Sequence, residues 1–297
     1  MDIRDAFFGQ IHEIMKSDKN VYFLTADMGA LDLLKIREDS PDRFFNVGIS
    51  EQNMISMASG LALQGKKVFT YTIGAFYQRA FEQIKLDICY MNLPVVMIAG
   101  CVGLSNATDG YTHYCINDIS VMRTLPNLTI YNPCESLQAK FYAHLSHSDT
   151  SPCYIRLDKG DFKPYFNDIF TDTVIIATGN MVEIAMKVGV QVVNLSTLNP
   201  LDNSWLYCLI HHAKRIFTLE EHINTGLGSI ISEFLTDNNL KIPLTRLGVT
   251  KVSPTGDRNY MQKLNGLDVE SLKETICNSR VKTSLNALEG LPRQARG

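Results

Sequence analysis

Short apolar runs alternate with stretches of helical periodicity along most of the chain. The runs are rich in Val, Ile and aromatic residues, and apolar residues recur every three or four positions in the stretches between them. Parallel sheets covered by helices give this alternation, because their strands are buried on both faces. The predicted strands of the first part are residues 21–26, 44–47, 67–73, 94–99, 128–132 and 153–157, with helices that include 76–90 and 136–146.

A second, shorter alternation follows an aperiodic stretch that contains Gly160 and Pro164. Its predicted strands are residues 173–177, 190–195, 215–219 and 244–247, with helices near 203–213, 227–236 and 269–278. The fold class is therefore α/β, with two consecutive domains, each a mostly parallel sheet covered by helices. We place the first domain at 1–162, a linker at 163–172 and the second domain at 173–280. Residues 281–297 lack an apolar face, and we expect them to form a disordered tail.

Composition narrows the possible partners and compartment. The 297 residues suffice for two cores. The net charge of -3, without a long basic run, argues against nucleic acid or a membrane as partner. The first residues are charged and no apolar window approaches a membrane span, so we expect a cytoplasmic protein. The seven cysteines lie far apart without CxxC spacing, which indicates reduced thiols and no zinc site.

The first segment with chemical content is residues 47–53, where a predicted strand ends in glycine and a helix begins. Ser50 is the expected N-cap, and Glu51 falls in the first helical turn. In open α/β sheets, ligands bind at this carboxyl end of the strands. An isolated acidic residue here would merely complement the helix dipole, so the rest of the chain has to decide its role.

Five further segments occur along the chain in the same order as corresponding segments of a known family. They are residues 25–29, 76–84, 109–113, 122–127, and the Glu220-Glu221-His222 run with the Gly226-to-Ser229 segment behind it. With the Glu51 segment they resemble the pyrimidine-binding and C-terminal domains of the transketolase family, which includes 1-deoxyxylulose-5-phosphate synthases and two-subunit transketolases. The resemblance extends from about residue 4 to residue 276 and implies thiamine diphosphate as cofactor.

The resemblance assigns residues to the cofactor. Glu51 would bind N1′ of the aminopyrimidine, and proton sharing there favours the imino tautomer that removes the thiazolium C2 proton. Phe76 would stack on the pyrimidine, with Ile73, Asp27 and Arg79 beside it. Simpler explanations remain open: core packing for Phe76, a turn or helix cap for Asp27, and an ion pair within its own helix for Arg79.

Asp109 and His113 belong to a loop that faces the sugar in this family. The histidine would donate to a developing oxyanion or move a proton, and the aspartate would accept from a hydroxyl. An isolated Asp-Gly-Tyr-Thr-His segment would more often be a turn, and the company of Glu51 and Phe76 favours a site.

Three further positions concern a substrate phosphate. Arg156 matches a family arginine. Cys101 replaces a histidine that is common in transketolases, and Lys159 replaces an arginine, so the bidentate fork that suits phosphate is lost. We therefore expect an acceptor that does not depend on a terminal phosphate.

The resemblance also shows what the sequence lacks. Full-length relatives hold the diphosphate and Mg²⁺ through a Gly-Asp-Gly segment and a later asparagine, and no such segment is found here. We expect no metal ligand in this chain. A separate N-terminal transketolase-like subunit would supply the diphosphate and Mg²⁺ site, in an α2β2 heterotetramer. The second domain resembles one that supports the dimer, and we assign it no catalysis.

The expected function is transfer of a two-carbon ketol unit from a ketose to an aldehyde, with sugars as small-molecule substrates. One alternative is decarboxylative carboligation, as in 1-deoxyxylulose-5-phosphate synthase or the β-subunit of a 2-oxo acid dehydrogenase, although the histidine loop argues against the dehydrogenase. Another is a non-catalytic, partner-binding subunit. The joint presence of Glu51, Phe76, Asp109 and His113 argues against a pocket without catalytic function, because the fold alone does not require these four residues together.

Overall fold

In the computed structural model, the described residues are 2–160 and 169–289, with side chains described as far as Ser279. The helices are α1 (Ile3–Ser17), α2 (Leu31–Asp39), α3 (Glu51–Leu63), α4 (Phe81–Gln83), α5 (Asp118–Met122), α6 (Ser136–Ser148), α7 (Met181–Met186), α8 (Asn203–Ile210), α9 (Leu227–Asp237), α10 (Arg258–Leu264) and α11 (Val269–Glu289). The strands are β1 (Val21–Thr25), β2 (Phe44–Asn46), β3 (Lys67–Ile73), β4 (Val95–Gly100), β5 (Thr129–Tyr131), β6 (Cys153–Leu157), β7 (Thr173–Ala177), β8 (Gln191–Asn194), β9 (Thr197–Asn199), β10 (Arg215–Leu219) and β11 (Leu244–Leu247).

Two consecutive α/β domains with mostly parallel sheets confirm the predicted fold class. The first sheet has the order β2-β1-β3-β4-β6-β5-β9 and is parallel except for β9. Helix α3 covers one face through Met54, Ile55 and Ala58, and α1 covers the other through Phe7 and Phe8. Because the strands are parallel, the carboxyl ends of β1, β3 and β4 meet at one edge, which places the loops that follow them side by side.

The second sheet has the order β11-β10-β7-β8 and is parallel throughout. Its core contains Ile175, Phe217 and Leu219, all nearly inaccessible to water. Five residues of the first domain belong to this same core, namely Leu104, Ala107, Tyr114 and Ile116 in the loop after β4, and Cys134 after β5. The two domains therefore share buried surface on the side that carries the loop after β4.

The strand β9 departs from the predicted domain division. Residues 197–199 lie within the second domain by sequence, yet they pair antiparallel with β5 and complete the first sheet. The Tyr142 hydroxyl fixes this edge through bonds to Ser196 Oγ at 2.6 Å and Thr197 Oγ1 at 3.1 Å. A three-residue strand carries too little periodicity to be found from its own pattern.

Two other predictions need correction. The helix predicted over 76–90 is a composite of a 3₁₀ segment (Gly74–Ala80), the short α4, and a π-helical segment (Ile84–Tyr90). The predicted disordered tail begins inside α11, because that helix continues to Glu289. Residues 290–297, and residues 163–168 of the predicted linker, lie outside the described residues. Within the described part of the chain, none of the helices combines the length and apolarity of a membrane span.

Candidate active site

A cleft of about 280 Å³ opens at the carboxyl edge of the first sheet. Its walls come from the loop after β1, the start of α3, the end of β3 with the 3₁₀ segment behind it, and the loop after β4. Five residues singled out from the sequence line it together, namely Asp27, Glu51, Ile73, Phe76 and Cys101. Parallel strand order explains the convergence, since β1, β3 and β4 are neighbours in the sheet although they are distant in sequence.

Glu51 is the first residue of α3, and its side chain is only 5% exposed. The turn before it depends on Gly48, whose φ of 75° is open to glycine at little cost. Ser50 occupies the N-cap position, but its hydroxyl bonds the Val47 carbonyl at 2.8 Å and does not cap the helix, contrary to expectation. Among the described residues the Glu51 carboxylate has one charged neighbour, the Arg79 guanidinium, with Nη1 3.5 Å from Oε1.

Phe76 connects the cleft to the loop that carries His113. Its ring contacts the edge of the His113 imidazole, with 5.3 Å between the centroids and 66° between the planes. The Arg79 guanidinium lies 4.3 Å from the Phe76 centroid on its way to Glu51. Phe76 is therefore a wall of the cleft and not an ordinary core residue, and Arg79 pairs with Glu51 instead of an acid of its own helix.

Asp27 reaches the cleft from a strained turn. Its φ of 49° lies in the left-handed region, which Asp and Asn tolerate better than other side chains. The Asn46 side-chain oxygen holds this turn, because it accepts the backbone N–H groups of both Asp27 and Gly48 at 3.0 Å. Asp27 caps no helix, since α2 begins after Ala30. Asp27 therefore belongs to a turn, as the simpler explanation expected, and the same residue lines the cleft.

The loop after β4 places Asp109 and His113 on two consecutive 3₁₀ turns, separated by Gly110 at a φ of 81°. His113 is half-buried and does not line the cleft itself, but its ring contacts Phe76, which does, and its Nδ1 lies 3.0 Å from Thr112 Oγ1. Asp109 is exposed and does not line the cleft itself. The structure therefore brings His113 against Phe76 of the cleft and leaves Asp109 nearer to solvent.

Arg156 does not reach the cleft, contrary to expectation. Its guanidinium is buried inside the domain, where Nε donates to Asp118 Oδ2 at 2.8 Å and Nη2 donates to the Cys115 carbonyl at 3.1 Å. This buried pairing raises the pKa of Arg156 and binds the side chain to the protein interior. A substrate phosphate would have to break an ion pair between two desolvated groups to recruit it, which is costly.

Cys101 and Lys159 lie at the cleft in different ways. Cys101 is buried in the wall, and burial raises the pKa of its thiol, so it brings no charge at neutral pH. Lys159 approaches from behind the loop, with Nζ 2.8 Å from the side-chain oxygen of Asn106, a residue that lines the cleft. Of the three positions expected to face a phosphate, Lys159 alone brings a positive charge to the margin of the cleft.

A buried polar cluster between the two domains was not found by sequence reasoning. Its acidic, basic and histidine side chains are those of Asp118, Arg156, Asp158, Glu220, Glu221, His222 and Arg258. The Glu220-Glu221-His222 run of the cluster stands out in the sequence. Arg258 lies in a polar stretch of sequence that does not predict burial. The cluster contacts the loop that carries His113, and the second domain therefore adjoins that loop.

Within this cluster, burial controls the protonation of two groups. Glu220 accepts the first N–H groups of α9 from Leu227 and Gly228 at 2.7 and 2.8 Å, yet burial raises its pKa to about 8. Burial also lowers the pKa of His222 to about 4. Burial alone would raise the pKa of Asp118, but Arg156 and His222 hold it below its usual range.

Comparison with known proteins gives matches to both domains. Residues 1–164 match the family model for the transketolase pyrimidine-binding domain, and residues 170–272 match that for the transketolase C-terminal domain. The 1-deoxy-D-xylulose-5-phosphate synthase of Halothermothrix orenii is 30% identical over 94% of this chain, and the chain spans only 49% of that relative.

Two shorter relatives match over nearly their full length. One of them, from Actinobacillus succinogenes, is named as a subunit of apulose-4-phosphate transketolase, and it is 31% identical over 84% of this chain and 93% of its own. A solved structure described as a split-gene transketolase in an inactive β4 tetramer is 27% identical, with a TM-score of 0.83 over 94% of this chain and 98% of that one.

Proposed function

The chain belongs to the transketolase family, whose members depend on thiamine diphosphate, and from this premise we propose that it is the pyrimidine-binding subunit of a two-subunit enzyme. The reaction is transfer of a two-carbon ketol unit from a ketose to an aldehyde. One observation carries the proposal: a buried carboxylate and the Phe76 ring line the same cleft, and the His113 imidazole packs against that ring.

The cleft fits the aminopyrimidine of the cofactor. Phe76 and Ile73 offer flat and apolar surface, and Glu51 offers a nearly water-free carboxyl group. When bound, thiamine diphosphate supplies an electron sink for carbon–carbon bond chemistry. Glu51 holds or shares a proton at its carboxyl oxygen with the pyrimidine nitrogen. Arg79, over half exposed, balances the charge of Glu51 and is free to turn towards solvent. Asp27, which lines the same cleft, would contact the cofactor there.

His113 and Asp109 act on the sugar. The imidazole donates to the carbonyl oxygen as negative charge develops there, and its contact with Phe76 keeps it beside the cleft. Asp109, at the outer turn of the same loop, accepts hydrogen bonds from substrate hydroxyls. The acceptor has no terminal phosphate held in the usual manner, because Cys101 is neutral and Arg156 is paired with Asp118.

A separate protein completes the site by holding the diphosphate and Mg²⁺, and the assembly is an α2β2 heterotetramer. Two observations support this part of the proposal. The sequence has no Gly-Asp-Gly segment with a later asparagine, and the chain covers nearly the full length of a relative that is itself named as one subunit of a transketolase. Among the described residues, no group of three or more His, Cys, Asp or Glu side chains could hold a metal ion.

Decarboxylative carboligation is the second candidate, because a 1-deoxyxylulose-5-phosphate synthase matches 94% of the chain. Reconstitution of the chain with a protein that carries the diphosphate motif distinguishes the two reactions. We expect ketose-dependent turnover without release of CO2 from a 2-oxo acid. The chain alone should bind thiamine diphosphate weakly by calorimetry. Tight Mg²⁺-dependent binding without a partner would refute the two-subunit proposal, and pyruvate-dependent CO2 release would favour the second candidate.

A further inference from the structure

The substrate loop, which we define as residues 101–117 with Asp109 and His113 at its tip, is fastened to the second domain by a buried carboxylate. Glu221 follows β10, and its side chain is 2% exposed. Its Oε2 accepts the backbone N–H of Leu104 at 2.9 Å. This hydrogen bond joins residues 117 positions apart in the sequence, and it is charge-assisted, which makes it stronger than a neutral one.

The contact between Glu221 and the base of the loop is closely packed. Gly103 has a φ of 62°, and a Cβ atom there would lie 2.3 Å from Glu221 Oε2. Gly103 and Cys115 exchange backbone hydrogen bonds of 2.9 and 3.0 Å, which close the base of the loop. On its returning side, the Ile116 carbonyl accepts the Ile223 N–H at 2.7 Å. Both sides of the base are therefore bound to residues 221–223 of the second domain.

Apolar packing also attaches the substrate loop to the second domain. The apolar side chains of the loop named above, Leu104, Ala107, Tyr114 and Ile116, are buried in the core of the second domain, together with strands β7 and β10. The loop is continuous with the first domain in sequence, yet the second domain supplies much of its interior. Its tip is consequently positioned by the second domain, although the cleft belongs to the first.

Arg258 fixes the orientation of the Glu221 carboxylate. Its Nε and Nη2 donate to the two oxygens of Glu221 at 3.0 and 2.7 Å, and the same guanidinium pairs with Asp158. Gln262 donates to Glu221 Oε1 at 2.7 Å. Asp158 adjoins Lys159, which binds Asn106 of the same loop. The loop is thus held from Glu221 at Leu104 and from Lys159 at Asn106.

Among the residues that the structure describes, the side chains of helix α3, which begins with Glu51, make their hydrogen bonds within the first domain, and those to other segments reach Arg79 and Asp87. Resting on the proposed function, we propose that Glu221 and Arg258 are positioning residues that hold the substrate loop for turnover and leave cofactor activation by Glu51 untouched. Neither residue lines the cleft.

Amide hydrogen exchange on the full chain alone tests the attachment, because it needs neither partner nor cofactor. In Glu221→Gln, we expect amides of residues 101–117 to exchange about tenfold faster or more, since a buried charged hydrogen bond is lost. Glu233→Gln is the matched control, because Glu233 pairs with Arg123 across the same two domains at the exposed surface. Unchanged protection of the loop in Glu221→Gln would overturn the inference.

Kinetics of the reconstituted enzyme test the consequence. In Glu221→Gln, kcat/KM for the sugars should fall about tenfold or more, while hydrogen–deuterium exchange at the cofactor C2 stays within about twofold of wild type. Arg258→Lys keeps the positive charge but loses the paired hydrogen bonds of the guanidinium, so kcat/KM should fall by an intermediate amount. This variant replaces Glu221→Gln in the test if Glu221→Gln does not fold. An equal fall in C2 exchange and turnover would refute a positioning role.

The two proposals fail in different ways. A wild-type complex that neither exchanges C2 nor turns over any sugar would refute the proposed function. The amide-exchange result would still decide whether Glu221 anchors the loop.

Discussion

The open cleft and the buried interdomain cluster both contain a nearly inaccessible glutamate, and the two have opposite surroundings. Glu51 has one charged neighbour at 3.5 Å among the described residues. Glu221 receives hydrogen bonds from Leu104, Arg258 and Gln262. A carboxylate whose oxygens already accept hydrogen bonds from several donors keeps its position and stays ionised. One that lines a cleft with few partners remains available to a ligand. We therefore expect Glu51 to take part in the reaction and Glu221 to hold the structure around it. Substitutions in the cleft should mainly lower the reaction rate, and substitutions in the cluster should mainly affect stability and loop position.

The largest effect is expected at Glu51. Glu51→Gln in the assembled enzyme should lower C2 exchange of the cofactor by more than about 10⁴-fold, because an amide does not share a proton with the pyrimidine nitrogen. The fold should persist, since the helix start needs no carboxylate. NMR of the C2 proton measures the rate, and Glu82→Gln, a glutamate outside the cleft, is the control. Wild-type exchange in Glu51→Gln would remove Glu51 from the reaction.

Arg156 should show the opposite behaviour, with a large effect on stability. Arg156→Met leaves Asp118 buried without its ion-pair partner, and such a loss is worth about 3–5 kcal/mol. Denaturant unfolding of the chain measures it. Arg123→Met, which breaks the exposed pair with Glu233, should lower the free energy of unfolding by less than about 1 kcal/mol. Similar losses in both variants would contradict the burial argument.

His113 packs against Phe76 and is proposed to act on the sugar, so its variant sharpens the comparison with Glu51. His113→Ala should reduce kcat/KM about 10²–10³-fold, because a donor to the developing oxyanion is lost. C2 exchange should remain close to wild type. His144, which lies on α6 away from the cleft, is changed to alanine as the control for loss of a histidine elsewhere. A parallel fall in both readouts would assign His113 to cofactor activation.

The pH dependence of stability should come from the cluster. The folded pKa of Glu220, about 8, lies above its unfolded value, so the folded state holds the extra proton and loses stability as pH rises towards 8. His222, with a folded pKa of about 4, acts in the opposite sense, gaining stability up to pH ~6.5. Stability should therefore fall between about pH 6.5 and 8, by at most about 1.4 kcal/mol per pH unit.

Glu220→Gln tests this assignment, because an amide does not titrate. Unfolding curves at several pH values should lose the decline above neutral pH in this variant, whereas Glu233→Gln should keep it. A decline that persists in Glu220→Gln would assign it to another group.

The smallest effect concerns the acceptor. Wild type should show little preference for an aldehyde with a terminal phosphate over a matched aldehyde without one. Cys101→His should favour the phosphorylated aldehyde about tenfold, since a hydrogen bond to a charged group is worth ~1.5–3 kcal/mol. The ratio of kcat/KM values for the two aldehydes measures it. A strong preference for phosphate in wild type that Cys101→His leaves unchanged would contradict the prediction.

Features that depend on a single segment could be predicted from the sequence. Strands such as β3, β6 and β10 have the predicted bounds, because burial on both faces imposes a continuous apolar run on the segment itself. The position of Glu51 at a strand end and helix start follows from the same local pattern. Parallel order then made it reasonable to expect that Asp27, Glu51, Phe76 and Cys101 meet at one edge.

Which distant groups meet was decided by tertiary packing. Arg156 and Lys159 are three residues apart, yet one is bound to Asp118 inside the domain and the other reaches Asn106 at the cleft. Strand β9 joins the sheet of the other domain, and Glu221 holds a loop that is 117 positions earlier in the chain. Local pattern records whether a segment is buried, but the identity of a polar partner depends on chain segments that packing brings together.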